Sequence, residues 1–274
     1  NMKRTILILA LVALCLLTVV LTVEYTRDDS TEAWTFAVFC DTRGDNNNTS
    51  GKSGINDALV GALAAAIVND SCDLVLVPGD MINGWWANGS TSYAVQFTNW
   101  KRAMEPVYRA RIHVYTVRGN HEDGSAQYPP EPPYSPTPDP SLKAAYLDAF
   151  GADNPVNGPV GEENLTYAFT HKNALFVGLD EYINPHRVNQ AWLERQLENN
   201  SQSHVFVFGH EPAFEINHPD CLAYYSTERD AFWNSIGSAW GDVYFCGHDH
   251  LYNRAHVLDN SSNEIHQIVV GSCG

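Results

Sequence analysis

The chain has 274 residues, of which 44% are apolar and 18% are charged, and this composition excludes an intrinsically disordered protein. Its formal net charge of -16 argues against unaided binding to a nucleic-acid backbone, which needs clustered Lys and Arg. The length suits one large α/β domain or two small ones.

The first predicted element is an almost unbroken apolar run from Ile6 to Val23, directly behind Lys3 and Arg4. A basic segment followed by an apolar one is typical of an export signal. The run is longer than the roughly 7–15 residues of a cleaved signal and slightly shorter than the roughly 20 residues of a membrane span. We therefore interpret residues 1–24 as a signal peptide or an N-terminal membrane anchor. Both alternatives predict an extracytoplasmic protein that is secreted, periplasmic or attached to a membrane through residues 6–23.

Residues 25–33 are polar and are predicted to be a linker. Residues 34–274 are expected to form one domain with a truncated C-terminus, since the chain stops directly after an apolar run. Alternation of apolar runs with helical patterns indicates βαβ units and a parallel or mixed sheet covered by helices. The predicted strands are Trp34–Cys40, Leu74–Val77, Ile112–Val117, Ala174–Leu179, Val205–Phe208, Val243–Cys246 and Ile265–Val270. The predicted helices are Ile55–Val68, Tyr93–Tyr108, Val188–Asn199 and Thr227–Trp240.

The cysteines and a proline-rich segment add two further expectations. Cys40 and Cys246 end apolar runs and are predicted to be buried thiols, whereas a disulfide is expected among Cys72, Cys221 and Cys273 if the compartment is oxidising. The proline-rich stretch in residues 127–140 excludes a helix or a central strand, and predicts a surface loop or a semi-rigid lid.

Five predicted strands end in short polar clusters that contain Asp, Asn or His. The clusters are Asp41-Thr42-Arg43-Gly44, Pro78-Gly79-Asp80, Arg118-Gly119-Asn120-His121-Glu122, Gly209-His210-Glu211-Pro212 and Gly247-His248-Asp249-His250. Ligands of open α/β sheets bind outside the carboxyl ends of the strands, so we expect these side chains to lie together. Imidazole and carboxylate groups suit Zn, Fe, Mn or Ni. Two such ions roughly 3.5–4 Å apart can clamp a phosphoryl group during in-line displacement.

The order of these clusters resembles the motifs D-x-H, G-D-x-x-[DN], G-N-H-[ED], G-H-x-P and G-H-x-H of the calcineurin-like metallophosphoesterase family. The resemblance runs from about Phe36 to the C-terminus. It implies an α/β fold in which a sandwich of two mixed β-sheets is flanked by helices. It also implies a metal-dependent hydrolase of phosphate esters, in which a metal-bound hydroxide attacks phosphorus in line. The implied partner is a phosphorylated small molecule or another phosphate ester.

The resemblance also implies roles for individual residues. Six of them would hold two divalent or trivalent metal ions (Mn, Fe, Zn or Ni): Asp41, Asp80, Asn120, His210, His248 and His250. Asp41 and His250 would hold the first ion, Asp80 would bridge both ions, and the remaining three would hold the second. His121 would stabilise the transition state or protonate the leaving oxygen.

Arg43 departs from the family pattern, because it stands where the first motif usually has a His. A guanidinium is permanently cationic and cannot bind a metal ion, so the first ion would lose one protein ligand. Water could replace that ligand, or the site could be weak or empty. Arg43 could instead contact the substrate phosphate as a catalytic group, or pair with a loop carboxylate such as Asp45. A one-metal phosphoesterase and a non-catalytic module that binds a phosphoryl ligand therefore remain alternatives.

Other residues give weaker signals. Trp85, with Trp86, would wall the substrate pocket or pack at the base of a loop, and His218 would reach the substrate or be solvated. Glu122 would orient a neighbouring group or be a solvated loop carboxylate. Substrate specificity is expected to depend on loops at residues 83–92, 123–165 and 211–226.

Overall fold

The computed structural model describes residues 6–8, 21–23, 33–44, 53–84, 91–124 and 139–273. The chain divides into two compact units, Asn1–Ala33 and Trp34–Gly274. In the first unit, β1 (Ile6–Ile8) pairs antiparallel with β2 (Leu21–Val23). The rest of the predicted signal or anchor lies outside the described residues. Within the part that is described, no helix combines the length and the apolar character needed to cross a bilayer.

Two sheets form the frame of the second unit. The smaller sheet consists of three parallel strands, β3 (Phe36–Val38), β4 (Leu74–Pro78) and β5 (His113–Val117). The larger sheet contains β6 (Tyr167–His171), β7 (Ala174–Gly178), β8 (His204–Phe208), β9 (Val243–Cys246), β10 (Tyr252–Leu258) and β11 (Glu264–Val270). Its strand order is β10-β11-β9-β8-β7-β6, with antiparallel pairs at both ends and parallel pairs between them.

An apolar layer rich in aromatic rings joins the two sheets. Phe36 of the smaller sheet contacts Phe176 and Phe206 of the larger sheet, with ring centroids 5.4 and 5.1 Å apart. Phe36 also meets Phe245 edge to face at 5.9 Å. Such tilted and edge-to-face pairs are favoured by the ring quadrupoles and fill the space between packed sheets. The layer fixes the strand ends of both sheets at one side of the sandwich.

Helices cover the outer faces of both sheets, so the predicted sandwich of two sheets flanked by helices is confirmed. They are α1 (Asp57–Asn69), α2 (Tyr93–Ala103), α3 (Glu105–Arg109), α4 (Asn120–Asp123), α5 (Pro140–Phe150), α6 (Gln190–Glu198) and α7 (Ser226–Ser238). Helix α1 shows why such segments are helical. Asn56 caps its first turn by accepting from the Leu59 N–H, and Val60, Ala64 and Ile67 bury one face at helical spacing.

Two predicted elements differ from the structure because of proline. The helix expected over Tyr93–Tyr108 is two helices, α2 and α3, and Pro106 lies in the first turn of α3. Proline has no N–H and disrupts a helix interior, but the first turn needs no such donor. Similarly, Pro140 opens helix α5 behind the Asp139 cap. The expectation that residues 123–165 form a loop is therefore wrong for α5, while residues 125–138, with most of the proline-rich stretch, lie outside the described residues.

The five described cysteines are free thiols. Cys40 and Cys246 are buried, as predicted. The disulfide expected among Cys72, Cys221 and Cys273 is absent from the described structure. Cys72 and Cys273 pack against the apolar cluster of the smaller sheet, whereas Cys221 is buried at the start of a separate 3-10 turn, Leu222–Tyr225.

Candidate metal centre

The polar clusters lie beside one another at the carboxyl ends of β3, β4, β5, β8 and β9. Backbone hydrogen bonds connect their loops: the Asp41 N–H donates to the carbonyl of Gly79 at 3.2 Å, and the Arg43 N–H donates to that of Asp80 at 3.2 Å. The Gly247 N–H donates to the carbonyl of His210 at 2.8 Å. The site is therefore built on loops that hold one another in place.

Several site residues have a backbone conformation that is uncommon for residues other than glycine. Asp41, Asp80 and His248 have φ values of 56°, 52° and 69°, in the left-handed region. Such residues cost about 1–3 kcal/mol each and persist only where surrounding contacts hold them. Gly79, with φ 81°, has no room for a side chain, because a Cβ there would lie 2.5 Å from the Gly119 nitrogen. Strain and close backbone approach thus coincide at this site, as is common at functional sites.

The site side chains form two halves that share Asp80. We define the first half as Asp41, Arg43, His250 and the Oδ2 atom of Asp80. We define the second half as Asn120, His210, His248 and the Oδ1 atom of Asp80.

The second half is a set of converging nitrogen and oxygen donors. His210 Nε2 lies 3.0 Å from Asn120 Oδ1 and 3.4 Å from Asp80 Oδ1. His248 Nδ1 lies 3.2 Å from Asn120 Oδ1. On its far side, His210 Nδ1 lies 2.7 Å from the carbonyl oxygen of Pro78, which can only accept, so Nδ1 carries the proton. A neutral His210 ring then presents the lone pair of Nε2 to the site, as a metal ligand must.

The first half contains a guanidinium among the proposed ligands. His250 Nε2 lies 3.5 Å from Asp41 Oδ1 and 3.2 Å from Arg43 Nη2. Arg43 Nε lies 3.6 Å from Asp80 Oδ2. Burial favours the neutral carboxyl of Asp80, but the nearby His210, His121 and Arg43 hold the pKa of that carboxyl well below its usual range. Asp80 is therefore ionised at neutral pH.

His121 faces Asp80 but is not positioned as a resting proton donor. Its Nδ1 donates to the carbonyl oxygen of Asn83 at 3.0 Å, and its Nε2 lies 3.8 Å from Asp80 Oδ2. Burial lowers the pKa of His121 to about 4, although the charge of Asp80 opposes that shift. The ring is thus neutral at pH 7, with its proton on Nδ1. In this state Nε2 can accept a hydrogen bond, and that role suits the ring better than protonation of a leaving oxygen.

Glu122 is fully buried, so its interpretation as a solvated loop carboxylate is wrong. Its Oε1 accepts from the N–H groups of Met81 and Ile82, at 2.9 and 3.1 Å. Its Oε2 accepts from those of Asp80 and Gly119, both at 2.8 Å. One carboxylate therefore fixes both the Asp80 loop and the turn before Asn120.

Glu181 was not among the predicted site residues, but it supports the second half from below. Its Oε2 accepts from the backbone N–H groups of His210 and Glu211, at 2.8 and 2.6 Å. Its Oε1 lies 2.6 Å from the Tyr244 hydroxyl, which is also 2.7 Å from the carbonyl oxygen of Glu211. A hydroxyl has one proton, so both contacts are satisfied only if Glu181 itself donates to Tyr244. Burial and the charge of Glu211 agree, since they raise the pKa of Glu181 well above its usual range.

Asp220 is a second residue that sequence reasoning missed. Its Oδ1 lies 3.3 Å from His248 Nε2. Burial disfavours a charged His248, but the hydrogen bond and charge of Asp220 outweigh it and raise the pKa of His248 to about 9. The carboxylate also fixes Nε2 as the protonated nitrogen, which leaves Nδ1 for a metal ligand. In the sequence, the only indication of this role was the position of Asp220 in the loop after His210.

His218 lies at the rim of the second half. Its ring centroid is 4.9 Å from that of His248, and its Nδ1 is 3.8 Å from Asp220 Oδ1. Its side chain is 34% exposed, so a substrate can reach it. Asp249, between two proposed ligands, is buried and accepts from the Asn217 N–H at 3.2 Å. Trp85, Trp86 and Asp45 lie outside the described residues.

The donor set fits a metal ion. One oxygen of Asp41, one of Asp80 and one ring nitrogen of His210 all lie within 4.8 Å of one another. Asp41 Oδ1 is buried and accepts no hydrogen bond in the part of the chain that the structure describes. A buried, unpaired carboxylate oxygen is costly unless a cation lies nearby, and in this half that cation is either a metal ion or the guanidinium of Arg43. Imidazole, amide and carboxylate donors without thiolate match Zn, Fe, Mn or Ni.

A profile described as calcineurin-like phosphoesterase matches residues 38–252. Among solved structures, a dimetal phosphatase from Danio rerio is similar at 18% identity, with 86% of each chain covered and a TM-score of 0.61. GAP50, the anchor in the inner membrane complex of Plasmodium, matches at 18% identity over 88% of this chain and 72% of its own, with a TM-score of 0.48. The NAD nucleotidase of Haemophilus influenzae matches at 11% identity over 85% of this chain and 44% of its own, also with a TM-score of 0.48. No curated protein sequence matches the chain.

Proposed function

Because this chain belongs to the calcineurin-like phosphoesterase family, we propose that it is a metal-dependent hydrolase of phosphate esters. The observation that carries the proposal is the second half of the site, where Asn120, His210 and His248 converge with Asp80 at 3.0–3.4 Å. A metal ion held by these residues would polarise a phosphoryl oxygen and lower the pKa of an attacking water. The Danio rerio neighbour, itself a dimetal phosphatase, has the same fold.

The protein groups of the first half would bind and orient the phosphoryl group. Arg43 presents a planar fork of N–H donors, which matches phosphate oxygens in a bidentate geometry. His250 Nε2, 3.2 Å from Arg43 Nη2, limits the rotation of that fork. Donors held in place before the reaction stabilise charge on the phosphoryl oxygens without reorganising. Arg43 is therefore assigned a catalytic and substrate-binding role.

The hydrogen bond made by Nδ1 decides the role that we assign to His121. Because the Nδ1–H group donates a hydrogen bond to the carbonyl oxygen of Asn83, the neutral ring has its lone pair at Nε2, 3.8 Å from Asp80 Oδ2. It can accept a hydrogen bond from a water or from a protonated phosphoryl oxygen, which orients that group for in-line attack. We assign His218, at the exposed rim, to contact with the leaving group of a phosphorylated small molecule.

We propose that the domain is extracytoplasmic, on the basis of Lys3, Arg4 and the apolar run behind them. The location is tested by fusing a reporter after residue 33. The reporter is one that is active only outside the cytoplasm. A fusion carrying Lys3→Glu and Arg4→Glu is the control. An inactive wild-type fusion would contradict the location, and equal activity in both fusions would show that Lys3 and Arg4 do not direct export.

The hydrolase proposal is tested with the full chain in detergent solution. Turnover of p-nitrophenyl phosphate and bis-p-nitrophenyl phosphate is measured with Mn, Zn, Fe, Ni and Mg, for the wild type and for Asp80→Asn. We expect metal-dependent turnover that the variant loses, and the ratio of the two rates separates a monoesterase from a diesterase. A folded, metal-loaded protein that hydrolyses neither ester, yet binds inorganic phosphate, would instead indicate a non-catalytic phosphoryl-binding module.

A further inference from the structure

Arg43 is the residue at which this chain departs from the family motif, and its guanidinium lies inside the first half of the site. Arg43 Nη2 is 3.2 Å from His250 Nε2, and Arg43 Nε is 3.6 Å from Asp80 Oδ2. The side chain is 16% exposed, so this placement is largely enclosed by protein. The guanidinium therefore contacts two of the three groups that the family resemblance assigns to a first metal ion.

The contact with His250 competes with metal binding for the same electrons. A guanidinium can only donate hydrogen bonds, so His250 Nε2 must accept through its single lone pair. A metal ion would need that lone pair at about 2.0–2.1 Å. The nitrogen cannot serve both partners at once. The arrangement of His250 and Arg43 thus disfavours coordination in the first half.

Charge leads to the same conclusion. Asp41 and Asp80 give the first half two carboxylates, and one permanent cation already lies between Asp80 and His250. Adding a divalent ion beside a guanidinium that cannot lose its proton places like charges within a few ångströms of each other. The second half differs, because the residues that define it include no guanidinium.

We propose that the guanidinium of Arg43 takes the place of the first metal ion, so that the site binds one metal ion, in its second half, and uses Arg43 as its second cation. The inference rests on the proposed metal-dependent hydrolase function. It makes Arg43 a catalytic residue whose fork and charge would act on the phosphoryl oxygens. It also predicts that the first half is a latent metal site, which one substitution can restore.

The experiment counts metal ions per chain in three proteins. The full-length wild type, Arg43→His and Arg43→Met are dialysed in detergent against Mn(II), freed of unbound ion, checked for folding by circular dichroism, and analysed for bound metal. His restores a ligand at this position, whereas Met has similar length to Arg without charge and without a strong Mn(II) donor. We expect one, two and one ions per chain, respectively. The electron paramagnetic resonance spectrum should show a spin-coupled Mn(II) pair in Arg43→His and isolated ions in the other two.

Two results would overturn the proposal. Two ions in the wild type would show that Arg43 does not replace a cation. One ion in all three proteins would show that the first half is not a latent metal site. A second ion in both variants would support the proposal, because the guanidinium would then have kept that ion out by itself. Turnover assays on the same samples distinguish failure of this proposal from failure of the hydrolase proposal. A wild type with two ions and normal turnover refutes only the role of Arg43. A wild type with one ion and no turnover refutes the hydrolase function.

Discussion

The two halves of the site are built in the same way but differ in chemistry. In both, short loops at strand ends bring side chains from distant parts of the chain to the shared Asp80. The second half collects imidazole and amide groups and contains no guanidinium, with His210 Nε2 3.0 Å from Asn120 Oδ1. The first half already contains a cation, with Arg43 Nη2 3.2 Å from His250 Nε2. A single residue of the first loop can therefore change the electrostatics of half a site while the fold around it stays the same.

The supports beneath the two halves differ as well. Glu122 accepts four backbone N–H groups, two at each oxygen, and this geometry requires a carboxylate even though burial and the charge of Asp80 raise the pKa of Glu122 to about 8. Glu181 accepts two N–H groups at one oxygen and meets the Tyr244 hydroxyl at the other, a pattern that requires a neutral carboxyl. The loop of Asp80 is thus held by an ionised carboxylate, whereas the loop of His210 is held by a protonated carboxyl group.

The largest effect is expected at the residue that joins the halves. Asp80→Asn removes the charge that both Arg43 and a metal ion need, so we expect kcat/KM to fall by about 10³-fold or more, within the range found when key electrostatic groups are removed. Bound metal should fall in the same samples. The control is Asp230→Asn, at an exposed ion pair with Arg229 that contributes little. Retention of both metal and turnover in Asp80→Asn would show that the halves do not share this residue.

The two supporting acids give a matched pair of amide substitutions. In Glu122→Gln, either placement of the amide turns its NH2 group toward two backbone N–H donors. At about 1–3 kcal/mol for each of the two unsatisfied buried donors, we expect a loss of about 2–6 kcal/mol in the free energy of unfolding, measured by urea denaturation.

In Glu181→Gln, the amide oxygen can accept from His210 and Glu211 while its NH2 group donates to Tyr244. Every contact is kept, so we expect a change below about 1 kcal/mol. Equal losses of unfolding free energy in the two variants would refute the assigned protonation states. A larger loss in Glu181→Gln would indicate that Glu181 is ionised and that Glu122 is protonated.

The difference between these acids also shows what the sequence can predict. Asp41, Asp80, Asn120, His210, His248 and His250 all follow apolar runs, so a local pattern placed them at strand ends. Glu122 lies inside one of those clusters. Glu181 does not, because its partner His210 lies 29 residues away and only the pairing of β7 with β8 brings them together. The placement of the candidate ligands at strand ends was therefore predictable from local patterns, whereas the residues that support them depend on tertiary contacts.

The fold shows the same division between local and tertiary information. Strands such as Val243–Cys246 have boundaries that match their apolar runs, since burial on both faces requires continuous apolar sequence. Strand β10 was not predicted, because only one of its faces meets the protein and its burial alternates along the strand. The predicted helix Tyr93–Tyr108 ran through Pro106, and Pro140 was treated as a helix breaker, although both residues lie in a first turn and so mark where helices begin.

A smaller effect is expected at the orienting carboxylate of the second half. Asp220→Ala removes the partner of His248 Nε2, 3.3 Å away, so the ring is free to rotate and to change tautomer. Loss of such a partner typically weakens metal affinity by about 10–100-fold, and we expect that range for Mn(II) by competition with a chelator. His218→Ala, at the same rim, should leave the affinity unchanged and alter only KM. An unchanged affinity in Asp220→Ala would mean that His248 is oriented by other contacts.

The smallest effect concerns stability behind the second half, where His186 Nδ1 lies 3.0 Å from both carboxylate oxygens of Glu211. Burial lowers the pKa of His186, but the hydrogen bond and charge of Glu211 outweigh it, so the pKa is raised. A raised pKa means that the folded state binds the proton more tightly. The stabilisation is therefore complete below the unfolded pKa of about 6.5 and is lost as pH rises through the folded pKa.

His186→Asn isolates this contribution, since Asn tolerates the positive φ of 61° at this position. We expect the wild type to exceed the variant in unfolding free energy by about 1–2 kcal/mol at pH 6, and by clearly less at pH 9. Urea denaturation at both pH values measures the difference. The contributions of nearby titrating groups, such as Asp220 and His248, to the pH dependence of stability largely cancel between the two proteins. A difference that stays constant with pH would mean that the contact does not depend on a charged imidazole. His186 would then hold Glu211 through a hydrogen bond of the neutral ring, in which Nδ1–H donates to the carboxylate.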